Sequence, residues 1–265
     1  MEAAIVITNV LDMHAQPDRT SERVNQCLFG DAVHCGGRRK GFVRITKSID
    51  NYSGWVDERF LLPLPVSQQE RYLAGQHWVV RSLQVPLLSG LDSRLTIPPH
   101  LLYYGTRLKV HEVGGSHYRV DLPSLAPMFV KKGHLAPINS NRPITGSQLV
   151  REARRFLGIP YLWGGSTPAG FDCSGLVQMV LGRLGVYVPR DTRDQIKIGQ
   201  NVVRERTRTG DLVFFDRHVG FAIGSAALIH ASVGGGGVRI NSLVAGRPDY
   251  REDLDRSYRM TRRIL

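Results

Sequence analysis

The stretch Pro160-Tyr161-Leu162-Trp163-Gly164-Gly165-Ser166-Thr167-Pro168-Ala169-Gly170-Phe171-Asp172-Cys173-Ser174-Gly175-Leu176-Val177 decides how this chain is read. Its first half is a glycine- and proline-rich loop. From Cys173 onward the apolar residues Leu176, Val177, Val180, Leu181 and Leu184 recur at helical spacing, and Gly185 follows where a C-terminal cap belongs. Cys173 therefore falls in the first turn of a predicted helix. Asp172 is its expected N-cap, because a carboxylate there accepts a hydrogen bond from a first-turn N–H that has no partner inside the helix. The thiol would face the positive end of the helix dipole, which favours the thiolate and predicts a pKa below the free value of about 8.5. A lone cysteine at a helix start is more often an inert small hydrophobe, so the nucleophile reading needs a base.

Two histidines downstream supply one. Strands are predicted over 211–216, 218–224, 227–232 and 238–243, and Gly224-Ser225-Ala226 reads as the turn of a hairpin. Position 224 lies midway between His218 and His230. Residues symmetric about a hairpin turn lie opposite one another with Cβ atoms about 4.5–5.5 Å apart, so the two imidazoles are expected as cross-strand neighbours. His218 would face Cys173, and His230 would hydrogen-bond its far nitrogen and fix its tautomer. Taken alone the pair also reads as core histidines; joined to Cys173 it makes nucleophilic catalysis the better reading. The same three residues could form a three-ligand metal site, but the helix-start position favours a thiol nucleophile. Cys27, His34 and Cys35 offer three zinc ligands with no fourth at metal spacing. Neither a metal nor another cofactor is expected.

At 265 residues the chain can bury two or three cores, and no apolar run approaches the ~18 residues of a membrane span. The formal net charge of +12 admits a polyanionic partner. The arginines are scattered, however, and the clusters Arg151, Arg154, Arg155 and Arg204, Arg206, Arg208 have no interleaved aromatic residues on which bases could stack. A solvated face is the better reading, and no nucleic acid partner is expected. Three cysteines make a poor disulfide framework and fit a reducing compartment. The N-terminus reads as a first strand rather than a signal peptide, so a cytoplasmic setting is expected, with export by another route left open. Oligomeric state is not legible.

The first 140 residues carry an internal repeat at an offset of about 75: Gly30-Asp31-Ala32-Val33 matches Gly105-Thr106-Arg107-Leu108, and Phe42-Val43-Arg44-Ile45 matches His117-Tyr118-Arg119-Val120. Both copies alternate like short antiparallel strands and predict two small barrels joined by a helical segment over 67–75. A linker over 137–146 leads to a third domain with a helix over 147–157, the Cys173 helix, a loop through Arg190-Asp191-Thr192, and then the sheet. Helices first and an antiparallel sheet after them argue α+β for this part. The expected domains are 1–66, 67–140 and 141–265.

The motifs of the third domain resemble those of the NlpC/P60 cysteine peptidases: Tyr161-Leu162-Trp163-Gly164-Gly165, Asp172-Cys173-Ser174-Gly175-Leu176-Val177, Gly210-Asp211-Leu212-Val213-Phe214-Phe215, His218-Val219-Gly220 and Ile229-His230-Ala231-Ser232. The resemblance implies a papain-like core acting on cell-wall peptides. Cys173 would be the nucleophile, His218 the base and His230 the orienting residue, with Tyr161 near the oxyanion site and Asp172 and Ser174 positioning substrate. Phe221-Ala222 stands where the family often has Ile-Tyr. The two N-terminal repeats are similar to bacterial SH3 domains, and the combination resembles the γ-D-glutamyl-L-diamino acid dipeptidyl peptidases. It implies an α+β fold in which two small all-β SH3-like barrels precede the catalytic domain. In that subgroup the first SH3-like domain limits the substrate to muropeptides with a free N-terminal L-Ala. Substrate contacts are thereby implied for Trp163, Arg190, Asp191 and Thr192, and from the first barrel for Glu22 and Tyr52. The activity implied is hydrolysis of the γ-D-Glu to diamino acid bond with release of L-Ala-D-Glu, in recycling of wall peptides. An endopeptidase acting on intact wall and a non-catalytic wall-binding protein are the alternatives.

Overall fold

The chain divides into two units, Met1–Ile138 and Asn139–Leu265, in a computed structural model that describes residues 2–75, 78–90, 96–123, 125–138 and 143–265, the side chains of 96–100 excepted. The linker expected over 137–146 lies partly outside the described residues, at 139–142.

The repeat read from the sequence is a repeat of strand pairing. In the first copy β1 (Glu2–Val6), β2 (Val10–His14), β3 (Arg23–Leu28), β4 (Ala32–Arg39), β5 (Phe42–Lys47), β6 (Ser53–Asp57) and β7 (Leu61–Leu64) form one antiparallel sheet in the order β3-β2-β6-β5-β4-β1-β7. Helix α1 (Val66–Leu73) leads to the second copy: β8 (Trp78–Val80), β9 (Gln84–Leu88), β10 (Thr96–Tyr103), β11 (Arg107–Leu108), β12 (Val110–Glu112), β13 (His117–Val120), β14 (Met128–Lys131) and β15 (Leu135–Pro137). β1 pairs with β4 and β7 as β8 pairs with β11 and β15, and β2 pairs with β3 and β6 as β9 pairs with β10 and β14. A 3₁₀ turn precedes the last strand of each copy, at Glu58–Phe60 and Lys132–His134. The copies differ at one place. β4 is long enough to pair with both β1 and β5 across a bulge between Cys35 and Arg38, whereas its counterpart breaks between Leu108 and Val110, and the second sheet splits in two.

The expected boundary between residues 66 and 67 runs through a shared core. Ile5, Phe29, Leu64 and Tyr72 pack in one buried cluster with Val80, Leu87, Leu102, Val120 and Val130. Tyr72 comes from α1, whose buried Gln69 also donates from Nε2 to the carbonyls of Ala4 and Val33 at 3.3 and 2.7 Å. The helix is therefore a packing element of this unit as well as a connection.

The second unit starts with α2 (Gly146–Arg154), whose N-terminus is closed by a reciprocal capping box between Thr145 and Gln148 and whose Leu149, Val150 and Ala153 are buried. The short hairpin of β16 (Ser166–Thr167) and β17 (Gly170–Phe171) runs directly into α3 (Cys173–Arg183). α3 ends in a Schellman motif: Gly185 at φ 88° lets the N–H groups of Gly185 and Val186 reach back to the carbonyls of Gly182 and Leu181. A short helix α4 (Thr192–Gln195) follows, then β18 (Gln200–Val202), β19 (Leu212–Phe215), β20 (His218–Ile223), β21 (Ala227–Ser232), β22 (Gly237–Ser242), α5 (Glu252–Arg256) and β23 (Tyr258–Arg263). The sheet order is β18-β23-β19-β20-β21-β22.

Four of these six strands are the predicted ones; β18 and β23 are not. The sequence Tyr258-Arg259-Met260-Thr261-Arg262-Arg263 conceals a strand because only Thr261 is fully buried. Its register is held partly by charge, with Arg263 gripping Asp211 of the neighbouring loop at 2.9 and 2.7 Å. Among the described residues no helix is long and apolar enough to cross a membrane.

Candidate active site

The site is assembled around the carboxylate of Asp172. As N-cap of α3 its Oδ1 accepts from the Gly175 N–H at 2.7 Å, and its Oδ2 accepts from the Gly164 N–H at 3.0 Å. The Arg190 guanidinium closes on both oxygens, at 3.0 and 2.6 Å, and donates to Ser174 Oγ at 2.9 Å. One carboxylate thus ties the glycine loop, the helix start and the segment before α4 into a single piece. Gly175 is required for this closeness, since a Cβ there would overlap the Gly165 carbonyl oxygen.

The geometry corrects the part implied for Arg190. Its side chain is 1 % exposed, so it braces the site from inside rather than meeting substrate. Asp172 and Ser174 belong to the same buried brace. Gln195 adds to it, donating from Nε2 to the carbonyls of Ser174 and Pro189 at 3.0 and 2.8 Å.

Cys173 opens α3 and is 8 % exposed. Its Sγ lies 3.7 Å from Thr192 Oγ1 and receives backbone N–H groups of Ser174 and of Val219, the neighbour of His218. The expected depression of its pKa is not what the surroundings produce. Burial pushes the thiol up, the Asp172 carboxylate adds to the rise, and the hydrogen bonds from Thr192, Val219 and Ser174 only oppose it. Burial first, and then the carboxylate that caps the helix, outweigh what the helix start offers the thiolate. Burial also pulls His218 down to about 3 and His230 down to about 4. The resting site therefore holds a neutral thiol and two neutral imidazoles.

The histidines meet, with a register different from the expected one. Phe221 pairs with Ile229 and Ile223 with Ala227, so the hairpin is centred on Ser225, not Gly224. Extending that ladder sets His230 opposite Gly220, and the two imidazoles are diagonal neighbours. They still touch: His218 Nε2 and His230 Nδ1 are 2.7 Å apart, with the rings at 82°. Gly220 makes the diagonal reach possible, because a Cβ there would stand 2.9 Å from His230 Cβ and 2.8 Å from Leu228 Cδ1. Beyond His230 the line continues to a residue the sequence did not single out. His230 Nε2 and Asn241 Oδ1 are 3.0 Å apart, and Asn241 Nδ2 donates to the Asp249 carbonyl at 3.0 Å. A single Asn in a strand has no spacing signature that would mark it.

The remaining predicted residues fall in two places. Tyr161 is half-buried beside Cys173, Asp172 and Arg190; burial above all, with the Asp172 carboxylate adding to it and the Arg190 guanidinium opposing, raises its hydroxyl, which stays protonated as a donor. Trp163 is 60 % exposed on the same loop. Arg190-Asp191-Thr192 is held at both ends, by Arg190 on Asp172 and by Thr192 on Cys173. Asp191 stands between these two anchors, and its carboxylate lies 3.2 Å from Arg193 Nη2. Glu22 and Tyr52 lie in the first unit, where His14 pairs with Arg23 on one side and Trp55 on the other, so both come to the same end of the first sheet. Glu22 is exposed, and Tyr52 is partly buried against the core cluster of the first sheet.

A thiol at a helix N-terminus, set against an antiparallel sheet that carries a hydrogen-bonded imidazole pair, is the arrangement of a thiol hydrolase on an α+β fold. The comparisons agree: residues 158–252 match the NlpC/P60 family, and the chain belongs to that family. It is 33 % identical over 240 residues to the γ-D-glutamyl-L-lysine dipeptidyl-peptidase of Bacillus subtilis, covering 82 % of this chain and 75 % of that protein. It is 27 % identical to dipeptidyl-peptidase 6 of Lysinibacillus sphaericus over 95 % of both chains. The crystal structure of an NlpC/P60 family protein from Bacillus cereus superposes over 99 % of both chains with a TM-score of 0.85 at 21 % identity, which extends the fold to the N-terminal β sheets.

Proposed function

We propose that this protein is a cysteine peptidase that hydrolyses the γ-D-glutamyl to diamino acid bond of peptidoglycan peptides with a free N-terminal L-Ala, releasing L-Ala-D-Glu. The observation that carries the reading is the Cys173 thiol held by the N–H of Val219, next to a His218 whose imidazole meets His230 at 2.7 Å, in a chain that matches dipeptidyl-peptidases along most of its length.

The neutral resting pair dictates how the reaction starts. His218 uses Nε2 on His230, which leaves Nδ1 for the thiol. As Cys173 Sγ attacks the γ-carbonyl carbon, His218 Nδ1 takes the thiol proton, so charge separates only when substrate is present to stabilise it. The tetrahedral oxyanion forms beside the N-terminus of α3 and the protonated Tyr161 hydroxyl. His218 then returns its proton to the amine of the departing diamino acid, leaving a thioester. Water, deprotonated by the same nitrogen, hydrolyses the thioester and frees the thiol. Asp191 is the carboxylate we assign to the substrate ammonium, and Trp163, exposed on the glycine loop, an apolar surface we assign to substrate.

Incubation with L-Ala-γ-D-Glu-diaminopimelate and with the same peptide N-acetylated tests the substrate. Cleavage of the free peptide alone is the expected result; equal cleavage of both identifies an endopeptidase, and cleavage of neither a binding protein. A cytoplasmic setting belongs to the same proposal and is supported by three free cysteines. Fractionation of cells that make the protein checks it.

A further inference from the structure

His230 is held by Asn241, and the direction in which that amide is held determines which nitrogens of both histidines carry protons. Asn241 is 6 % exposed on β22, across from Leu228 and diagonal to His230. Its Nδ2 faces the Asp249 carbonyl at 3.0 Å, a group that can only accept. The amide is therefore fixed with Oδ1 toward His230 Nε2 at 3.0 Å, and that nitrogen must carry a hydrogen. In a neutral ring Nδ1 is then a bare acceptor, and the 2.7 Å contact with His218 requires His218 to donate from Nε2. A neutral His218 that donates from Nε2 presents a lone pair at Nδ1.

We infer that Asn241 is a positioning residue for the reaction: through the chain Asp249 carbonyl, Asn241, His230, His218 it sets the tautomer in which His218 Nδ1 is free to take the Cys173 proton. This rests on the reading of Cys173 as nucleophile and His218 as base. The chain steps across β20, β21 and β22 with the same stagger at each crossing, since Gly220 faces His230 and Leu228 faces Asn241. It is also shielded from water, because His230 is fully buried and Asn241 nearly so. A wrong tautomer would not be repaired by solvent. Without the Asn241 oxygen the proton of His230 has no acceptor at Nε2 and moves to Nδ1. Two N–H groups would then oppose each other between the rings, and His218 would turn its own proton toward the sulfur.

Two variants and one spectrum test this. Asn241→Leu removes the acceptor at similar volume and should lower kcat about ten- to a hundredfold with KM within about twofold, the range seen when a partner that orients a functional histidine is lost. Asn241→Asp keeps an oxygen toward His230 and should restore kcat to within about fivefold of the parent. In the parent enzyme at pH 7.5, two-bond ¹H–¹⁵N correlations should show both His218 and His230 protonated at Nε2, and in Asn241→Leu both protonated at Nδ1. Loss of activity to the same degree in both variants, or a parent spectrum with His230 protonated at Nδ1, overturns the inference, and the parent spectrum decides even if Asn241→Leu does not fold. Hydrolysis surviving in Cys173→Ala would instead remove the nucleophile reading while leaving the tautomers as measured.

Discussion

Cys173 and His218 are held neutral by burial, and this has a kinetic signature. A thiol with a raised pKa alkylates in proportion to its small thiolate fraction, so iodoacetamide should label Cys173 about tenfold faster per pH unit from pH 7 upward. A preformed ion pair would give a rate that is flat across neutrality. Cys27, fully buried and pushed up to about 12, should stay unlabelled in the folded chain throughout. Among the histidines, His218→Ala should lower kcat by about 10²–10⁴, the range of a general base, and His230→Ala less, both with KM nearly unchanged. An inactive His230→Ala beside an active His218→Ala would exchange the two roles. Asp191 is tested by its amide. An ammonium held by a carboxylate contributes about 1.5–3 kcal/mol, so Asp191→Asn should reduce kcat/KM for free L-Ala peptides by more than tenfold and scarcely change any residual cleavage of acetylated ones. An unaltered preference for the free amine would assign the subsite to other residues.

At the scale of elements the site depends on two close approaches, one held by charge and one by a missing side chain. Arg190 is the buried counterion of Asp172. Arg190→Met should destabilise the second unit by about 3–5 kcal/mol, because the carboxylate is left buried and unpaired; a urea midpoint close to the parent's would show that the brace is dispensable. Gly220→Ala should cost about 1–3 kcal/mol as β20 is forced from β21, and should lower kcat as well, since the added Cβ presses on His230 at its Cβ. These elements also show how far the sequence could be read. The helix at Cys173, its Asp172 cap and its Gly185 stop follow from local chemistry and are legible in the fourteen residues from Asp172 to Gly185. The hairpin was legible, but its register was not: a turn of Gly224-Ser225-Ala226 can be centred on either of its first two residues, and only the ladder decides. The sequence points the Cys173 pKa in the wrong direction because a helix start reports a dipole and says nothing of burial depth. β23 is not legible because its arginines lie outside the apolar alternation that marks a half-buried strand.

The repeat of the first unit was legible because equivalent turns recur at a fixed offset. That the two copies share a core was not, since no local pattern says which apolar face meets which. In the second unit the two histidines couple folding to pH. Both have folded-state pKa values near 3–4 against an unfolded value of 6.5. Between those limits the unfolded chain binds more protons, so this contribution is complete above about pH 6.5 and is lost as pH falls, by up to about 1.4 kcal/mol per pH unit for each ring. Replacing both in His218→Gln/His230→Gln should flatten the stability profile between pH 6.5 and 4; an unchanged profile would mean the rings are protonated in the folded protein.

The most direct test of the whole account is product analysis by mass spectrometry after incubation of the purified chain with L-Ala-γ-D-Glu-diaminopimelate, beside Cys173→Ala. The account predicts stoichiometric L-Ala-D-Glu and free diaminopimelate from the parent and neither from the variant. Intact peptide after incubation with the folded parent, or the same dipeptide released by Cys173→Ala, would contradict it.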